Sequence, residues 1–204
     1  MKTILLGKGG NQPFQIKNEG VSHQHAQITI DDFDQWTLED LDSSNGTYTR
    51  RESDGELLRV SKVKITPMTF ICLGPDNSKG CSFYARQVLD YGNFKEEYEY
   101  LNDKEDEFDD KILSIEHKAQ MIKKIIFFVN IAIVLFSLVG ETGVWLLRAG
   151  TIVSTFFAAF YDAGGAKKKV NDLREKFHQC PNPLCSHRLK TDEIRDMKCA
   201  KCKK

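Results

Sequence analysis

Short segments that favour β-strands, separated by turn residues, make up the first 90 residues of this chain. Several of them alternate apolar and polar residues, as in Gln27-Ile28-Thr29-Ile30, and turn signals such as Asn45-Gly46 separate them. Many short strands at this spacing predict an antiparallel β-sandwich, and about 90 residues suffice to bury one such core. The candidate strands are Thr3–Leu6, Phe14–Ile16, Ala26–Ile30, Trp36–Asp40, Thr47–Arg50, Leu57–Ile65, Thr69–Leu73 and Ser82–Val88.

Charge is balanced over the whole chain but strongly segregated along it. The 204 residues include 29 lysines and arginines and 29 acidic residues, so no overall positive field favours nucleic acid. Acidic residues crowd the stretch 96–110, for which we expect a solvated linker or exposed helix, with a partner-binding segment as the alternative. The composition predicts four parts: a β-sandwich domain (1–90), an acidic helical linker (91–122), an apolar helical hairpin (123–169) and a four-cysteine tail (170–204).

The hairpin prediction rests on two apolar segments, Ile125–Val139 and Val144–Tyr161, joined by a short glycine-containing connection. As helices they would be roughly 23–27 Å long, slightly short for a hydrocarbon core of about 30 Å. Lysines flank the outer ends of the pair and none lies in the connection, which favours a two-pass transmembrane hairpin with both ends in the cytoplasm. Asn130 and Arg148 keep a soluble helical hairpin and an interfacial anchor open as alternatives, because charged and polar residues are costly inside a membrane.

The tail carries two cysteine pairs, Cys180 with Cys185 and Cys199 with Cys202, thirteen residues apart. Pairs at this distance can close tetrahedrally on Zn²⁺ through four thiolates, so the tail looks like a small zinc ribbon. A segment as short as this buries little core without a metal, and we therefore expect structural zinc.

The two histidines of the tail, His178 and His187, are alternative ligands, and Leu189–Met197 can form a hairpin or helical turn between the cysteine pairs. The ribbon contains no aromatic residue to stack on bases, so a protein-docking role is favoured over nucleic-acid binding. Clustered cysteines also favour a reducing compartment, and the apolar run Ile4–Leu6 is too short for a secretion signal.

Three short motifs follow one another in the β-rich part: Gly7-Lys8, Ser22-His23-Gln24-His25 and Ser44-Asn45-Gly46-Thr47. Each alone has an ordinary explanation as a turn or a buried histidine. Together and in this order they resemble the forkhead-associated (FHA) family, which has a Gly-Arg pair, a Ser-x-x-His motif and an Asn-Gly-Thr motif on loops at one end of a β-sandwich. The resemblance covers roughly residues 2–90, under half of the chain.

The FHA resemblance implies a non-catalytic module that binds phosphothreonine on a partner protein. By this resemblance, the Ser22 hydroxyl and Ser44 contact the phosphate, and Asn45 bonds the peptide backbone beside the phosphothreonine. Lys8 stands where the family usually has arginine, and it neutralises phosphate as a point charge without a bidentate fork. His23 occupies a position that is often basic in the family. The residues that would shape the loops are Gly7, His25, Gly46 and Thr47.

These features together predict a non-catalytic signalling adaptor at the cytoplasmic face of a membrane, with a Ser/Thr kinase in its pathway. The lysine at position 8 leaves open the alternative of a phosphate-independent structural scaffold in a membrane complex. The sequence contains no Gly-rich phosphate loop, nucleophile elbow or His–Glu metal helix, and a four-cysteine site leaves no open coordination position. We therefore do not expect an enzyme.

Overall fold

The structure, a computed structural model, describes residues 1–75, 79–137, 163–185 and 187–203, without the side chains of residues 133, 134, 136 and 137. The chain divides into two compact units. The first comprises Met1–Glu105 together with Glu175–Lys204, and the second comprises Asp106–Arg174. The β-rich part, the beginning of the acidic segment and the cysteine tail therefore belong to one folded body.

Eight strands form two four-stranded antiparallel sheets, which confirms the predicted β-sandwich. In the first sheet the order is β1 (Lys2–Leu6), β2 (Ala26–Ile30), β3 (Trp36–Asp40) and β6 (Lys62–Ile65). In the second sheet it is β5 (Leu57–Val60), β4 (Thr47–Arg50), β7 (Phe70–Leu73) and β8 (Cys81–Tyr84).

Alternation of buried and less buried residues sets the register of the first sheet. Ile28 of β2 lies opposite Ile4 of β1 and Leu38 of β3, and all three side chains enter the core. A slip of one residue would turn these side chains to the other face, so burial fixes the pairing.

The second sheet is buried on both of its faces along β7. Ile71 and Leu73 belong to the core between the sheets. Phe70 points to the outer face, where its ring meets Tyr84 edge to face at 5.3 Å. Other elements of the first unit cover this outer face.

Three predicted strands differ from the structure by more than one residue at an end. Phe14–Ile16 is not a strand: both apolar side chains are buried in the core, but the segment joins neither sheet. Leu57–Ile65 breaks at Ser61, where the chain passes from one sheet to the other. The segment Ser82–Val88 is strand only as far as Tyr84, and a 3₁₀ turn covers Ala85–Val88. Local alternation identifies residues that enter the core, but pairing with a neighbour decides whether they form a strand.

Helix α1 (Lys95–Ser137) contains the acidic segment, and the negative charge of Glu96 in its first turn suits the positive end of the helix dipole. Its first turns are not the exposed linker that the composition predicts. Tyr98, Leu101 and Glu105 recur at helical spacing and are all at most 2% exposed. One face of the acidic helix is therefore part of the first unit.

In the second unit α1 is paired with α2 (Ala163–Phe177) by two ion pairs. Lys167 lies 2.6 Å from Glu116, and Arg174 is paired with Asp109. The partner numbers fall along α1 as they rise along α2, so the two helices run antiparallel. A third helix, α3 (Thr191–Arg195), lies in the cysteine tail.

The predicted membrane hairpin falls only partly on the described residues. Helix α1 carries the segment Ile125–Val139 as far as Ser137, and the segment Val144–Tyr161 lies outside the described residues. Among the helices that the structure describes, none combines the length and the apolar character needed to cross a membrane.

Candidate functional site

The loops that carry the three motifs meet at one end of the sandwich. The backbone N–H groups of Lys8 and Gly9 donate to the carbonyls of Ser22 and His23, at 3.1 and 2.9 Å. The N–H of Ser44 donates to the Ser22 hydroxyl oxygen at 3.3 Å. The structure therefore brings the predicted phosphate-binding residues together.

His25 ties two of these loops from beneath, and its side chain is fully buried. The N–H of Ser22 donates to Nδ1 of His25 at 3.0 Å, so Nδ1 carries no proton. Nε2 then carries the proton and donates it to the carbonyl of Gly46, also at 3.0 Å. Burial holds the pKa of His25 below its ordinary value, which keeps this neutral tautomer. These two hydrogen bonds hold the loop of Ser22 and the loop of Gly46 together.

Asp40 organises the loop that contains Asn45 and Gly46. The hydroxyls of Ser43 and Thr47 donate to its Oδ1 at 2.6 and 2.5 Å, and the Ser43 N–H donates to Oδ2. Burial alone would raise the pKa of Asp40, but the hydrogen bonds from Ser43 and Thr47 together outweigh this effect. The pKa of Asp40 is therefore below its ordinary value. Thr47 is therefore held by a carboxylate that the motifs did not identify.

The predicted ligand-contacting side chains point outward above this buried network. Lys8, His23, Ser44 and Asn45 are exposed, and Ser22 is partly exposed. The Lys8 ammonium donates to the carbonyl of Glu19 at 3.3 Å, and the Asn45 amide donates to the carbonyl of Gly20 at 2.9 Å. An amide has two N–H donors and one acceptor, so Asn45 keeps hydrogen-bonding capacity for a ligand.

Two of the motif glycines have positive φ angles, which disfavour any residue with a side chain. Gly7 has φ +144°, and a Cβ there would lie 2.4 Å from the carbonyl oxygen of His23. Gly46 has φ +83°, and a Cβ there would lie 2.6 Å from Nε of Arg59. Both φ angles need glycine for conformation, and at Gly7 the backbone also leaves no space for a Cβ, whereas at Gly46 the Arg59 side chain can move.

Arg59 is a cation beside the site that the motifs do not reveal. It is exposed and lies opposite Tyr48 in the register of β4 and β5. The Tyr48 hydroxyl donates to the carbonyl of Asn45 at 3.1 Å. Only the strand register places Arg59 here, because it is distant from the motifs in sequence.

A second candidate site lies in the tail, where Cys180, Cys185, Cys199 and Cys202 bring their sulfur atoms within 4.8 Å of one another. The Sγ atoms of Cys180 and Cys202 are 3.7 Å apart, and those of Cys185 and Cys199 are 3.8 Å apart. A tetrahedron of sulfurs at the zinc–sulfur distance of about 2.3 Å has edges of about 3.8 Å. The four thiols can hold a metal ion, and their geometry fits zinc.

The electrostatics of the cluster agree with this fit. Burial raises the pKa of Cys180, and it raises the pKa of Cys185 to about 11. Without a cation these buried thiols stay protonated, whereas a bound metal ion stabilises the thiolates that are its ligands.

The two histidines that were alternative ligands contact carboxylates. Nε2 of His178 lies 2.6 Å from Glu105, and Nε2 of His187 lies 3.1 Å from Glu193. The Glu193 carboxylate also accepts the N–H of Ala200 at 2.6 Å, which fixes the turn that carries the second cysteine pair. His187, Glu193 and Cys199 also form a possible metal group, but Glu193 is already engaged by backbone donors.

The tail is docked on the outer face of the second sheet. Arg50 donates to the side-chain oxygen of Gln179 at 2.7 Å, and its guanidinium lies 3.6 Å from the ring centroid of Phe70 and 5.2 Å from that of Phe177. Lys176 donates to the carbonyl of Asp54 at 3.1 Å. These contacts cover the outer face of this sheet around Phe70.

Comparison with known proteins identifies the β-rich part. The sequence profile of the FHA domain family matches residues 4–74, which confirms the predicted FHA domain at the N-terminal part of the chain. FHA domains are non-catalytic, phosphothreonine-binding protein-interaction modules. A search of curated proteins finds no match.

Several solved structures are similar to this part of the chain. One is the FHA domain of FhaA complexed with the intracellular domain of Rv3910, with 28% identity, 35% of this chain and 71% of that chain covered, and a TM-score of 0.30. A second is the FHA domain of the CT664 protein from Chlamydia trachomatis, with 25% identity, coverage of 36% and 68%, and a TM-score of 0.29. A third is FHA-1 of Mycobacterium tuberculosis Rv1747, with 20% identity, coverage of 38% and 72%, and a TM-score of 0.30.

Proposed function

We propose that this chain is a non-catalytic signalling adaptor whose FHA domain binds phosphothreonine in a partner protein. The observation that carries the proposal is the pair of loops locked together by His25, which present Ser22, Ser44 and Asn45 at the surface. A partner that carries phosphothreonine implies a Ser/Thr kinase in the same pathway.

The Ser22 hydroxyl has a proton that it can donate to a phosphate. Its oxygen already accepts the N–H of Ser44, so its own proton points away from that bond. A phosphate dianion accepts several such donors, and charge-assisted hydrogen bonds of this kind are short and strong. Asn45 then bonds the backbone of the peptide beside the phosphothreonine.

Positive charge for the phosphate comes from Lys8, with Arg59 at the margin of the site, where the exposed ring of His23 can add a hydrogen-bond donor. Lys8 gives a point charge in place of the bidentate contact of arginine. Arg59, whose guanidinium lies against Gly46, adds a second permanent charge near the same loop. These charges favour an anionic ligand over an uncharged peptide.

A binding titration of the whole chain tests the proposal. The ligands are a degenerate phosphothreonine peptide library and its unphosphorylated twin, measured by fluorescence anisotropy. Ser22→Ala and Ser44→Ala are each expected to weaken phosphopeptide binding about tenfold or more. Ser53→Ala is the matched control, because Ser53 is exposed in the turn between β4 and β5, at the opposite end of these strands. Equal binding of both peptides would contradict the proposal and favour a phosphate-independent scaffold.

We also propose that the four tail cysteines bind one Zn²⁺ with a structural role. Cys180, Cys185, Cys199 and Cys202 supply a complete tetrahedral set, which leaves no open position for chemistry. Elemental analysis of the purified chain is expected to find one zinc per chain. Cys199→Ser is expected to abolish it, and Cys72→Ala, which removes a buried thiol in β7, is expected to retain it. Zinc below one-tenth of stoichiometric would contradict this proposal.

Membrane attachment with cytoplasmic termini is the third part of the proposal. It is supported by the flanking lysines in the sequence and by the exposed apolar side chains of Ile125, Phe127, Phe128 and Leu135 on α1. Carbonate extraction of membranes tests it. The chain is expected to stay in the pellet, and release into the supernatant would contradict insertion.

A further inference from the structure

A groove of about 230 Å³ lies in the first unit, between the loop that precedes Ser22 and the cysteine tail. One of its walls is polar and the other is apolar. Small-molecule sites have typical volumes of about 300–1,000 Å³, so this smaller groove suits one or two side chains of a peptide. The lining residues are Gln15, Lys17 and Asn18 on the polar side and Pro183 and Leu184 on the apolar side.

The polar wall continues into the loop that holds the predicted phosphate-binding side chains. Asn18 lines the groove, and its amide donates to the carbonyl of Gly80. The next residue, Glu19, accepts the Lys8 ammonium through its carbonyl at 3.3 Å. The residue after that, Gly20, accepts the Asn45 amide in the same way at 2.9 Å. The groove and the phosphate site therefore share one loop.

The distance between the groove and the phosphate site is short. The N–H of Val21 donates to the carbonyl of Asn18 at 3.2 Å, and a turn of this kind keeps its first and last Cα atoms within about 7 Å of each other. Ser22 follows directly, so its Cα lies at most about 11 Å from that of Asn18. An extended peptide advances about 3.3 Å per residue and covers this distance within about four residues. A peptide whose phosphothreonine contacts Ser22 can therefore reach the groove.

The apolar wall is a loop of the tail that presents Leu184 to solvent. Leu184 is 59% exposed, and its N–H donates to the side-chain oxygen of the buried Asn182 at 3.1 Å. The N–H of Cys185 donates to the carbonyl of Asn182 at 2.9 Å. The carbonyl of Pro183 lies 3.9 Å from the sulfur of Cys81 in β8. These contacts hold the loop against the sandwich, so the exposed leucine has a defined place beside the groove.

We propose that this groove is a second subsite for the phosphopeptide, in which Leu184 contacts an apolar side chain close in sequence to the phosphothreonine. The proposal rests on the proposed phosphothreonine binding. The exposed ammonium of Lys17 on the opposite wall attracts a phosphopeptide, because the phosphate gives the peptide negative charge. The sandwich and the tail each supply one wall, so the tail contributes to the choice of partner.

The test is a binding titration of the whole chain with two sets of phosphothreonine peptides, measured by fluorescence anisotropy. In one set each flanking position in turn is leucine, and in the other the same position is serine. At one position within about four residues of the phosphothreonine, the wild type is expected to bind the leucine peptide about fivefold or more tightly, because the leucine is removed from water. Leu184→Ser is expected to remove this preference and to leave binding of the serine peptide unchanged.

Leu113→Ser is the matched control for Leu184→Ser. Leu113 lies on α1 in the second unit and is 60% exposed, so its substitution removes an equally exposed leucine away from the groove. This variant is expected to keep the preference for the leucine peptide. Ser22→Ala is expected to weaken the leucine and serine peptides by the same factor, because it removes a phosphate contact that both peptides make.

The possible outcomes separate this subsite from phosphothreonine binding itself. Phosphate-dependent binding without a leucine preference, or with a preference that Leu184→Ser retains, would overturn the subsite and leave the phosphothreonine proposal standing. Equal binding of phosphorylated and unphosphorylated peptides would overturn both.

Discussion

The hydrogen bonds of His25 allow a prediction that assigns a separate effect to each ring nitrogen. In His25→Asn the side-chain oxygen can take the place of Nδ1 and accept from Ser22. In His25→Gln the longer amide can take the place of Nε2 and donate to Gly46. The two lost partners differ: the Gly46 carbonyl also accepts the N–H of Gly74 at 2.9 Å, whereas His25 is the acceptor that the structure gives for the Ser22 N–H.

The expected magnitudes follow from this difference. A buried donor left without a partner costs about 1–3 kcal/mol, and an ordinary hydrogen bond contributes about 0.5–1.5 kcal/mol. We therefore expect His25→Asn to lower the free energy of unfolding by about 1 kcal/mol and His25→Gln by about 2–3 kcal/mol. His25→Ala loses both bonds and leaves a cavity, so its expected loss is about 2–4 kcal/mol.

Urea denaturation followed by tryptophan fluorescence measures these losses. The chain has two tryptophans, and Trp145→Phe as the common background leaves Trp36, which is buried in the sandwich core. The phosphopeptide titration runs beside it, and affinity is expected to fall in the same order. A smaller loss for His25→Gln than for His25→Asn would refute the assignment of donor and acceptor to the two ring nitrogens.

The pH dependence supplies an independent check on the same residue. Burial lowers the pKa of His25 in the folded protein, so as pH falls below the ordinary value of 6.5 the unfolded chain takes up a proton first. Wild-type stability is therefore expected to decrease as pH falls from 6.5 through the lowered pKa. His25→Asn should lack this pH-dependent part of the stability. A difference in the free energy of unfolding between the two proteins that is the same at every pH would contradict the prediction.

Three further predictions concern other parts of the first unit. Gly7→Ala is expected to lower stability by about 2 kcal/mol or more in thermal denaturation, because a Cβ meets backbone there. Gly9→Ala, where a Cβ meets only the movable ring of His23, is the control and should cost less. Burial raises the pKa of Glu97, so its ionisation destabilises the fold as pH rises above its ordinary 4.5. Glu97→Gln should therefore raise the melting temperature at pH 7, and a gain that persists below pH 4.5 would contradict this. Arg50→Met is expected to lower the free energy of unfolding by about 1–3 kcal/mol, because it removes the hydrogen bond to Gln179. An unchanged free energy of unfolding would mean that this contact does not stabilise the docked tail.

The sequence predicts the strands best where alternation and pairing agree. The bounds of Ala26–Ile30, Trp36–Asp40 and Thr47–Arg50 are the same in the prediction and in the structure. Phe14–Ile16 has the same alternation but joins no sheet, and Leu57–Ile65 is long enough to contribute to both. Alternation reports burial, whereas membership of a sheet depends on partners that are distant in sequence.

In the site, too, local sequence signals identify some residues, and contacts between distant residues determine the others. The motifs identify the side chains at the surface, such as Ser22 and Asn45, because turns and loops have local signatures. They do not identify Asp40, which holds the Asn-Gly loop from beneath, or Arg59, which a strand register places beside it. The spacing of the tail cysteines predicts their cluster, but no local signal predicts that Arg50 of β4 contacts Gln179 of the tail.

Because the tail is docked in the first unit, the intervening chain is attached to that unit at both of its ends. Residues 106–174 leave this unit after Glu105 and return to it at Glu175. Glu105 and His178 lie 2.6 Å apart, so the two points of attachment are neighbours in one folded body. Bringing such distant residues together carries a loop-closure entropy, which the contacts of the tail must offset. If the tail binds the proposed zinc, the metal also stabilises this second attachment. Release of the tail from the sandwich would leave the first attachment, at Glu105 in α1, as the remaining connection.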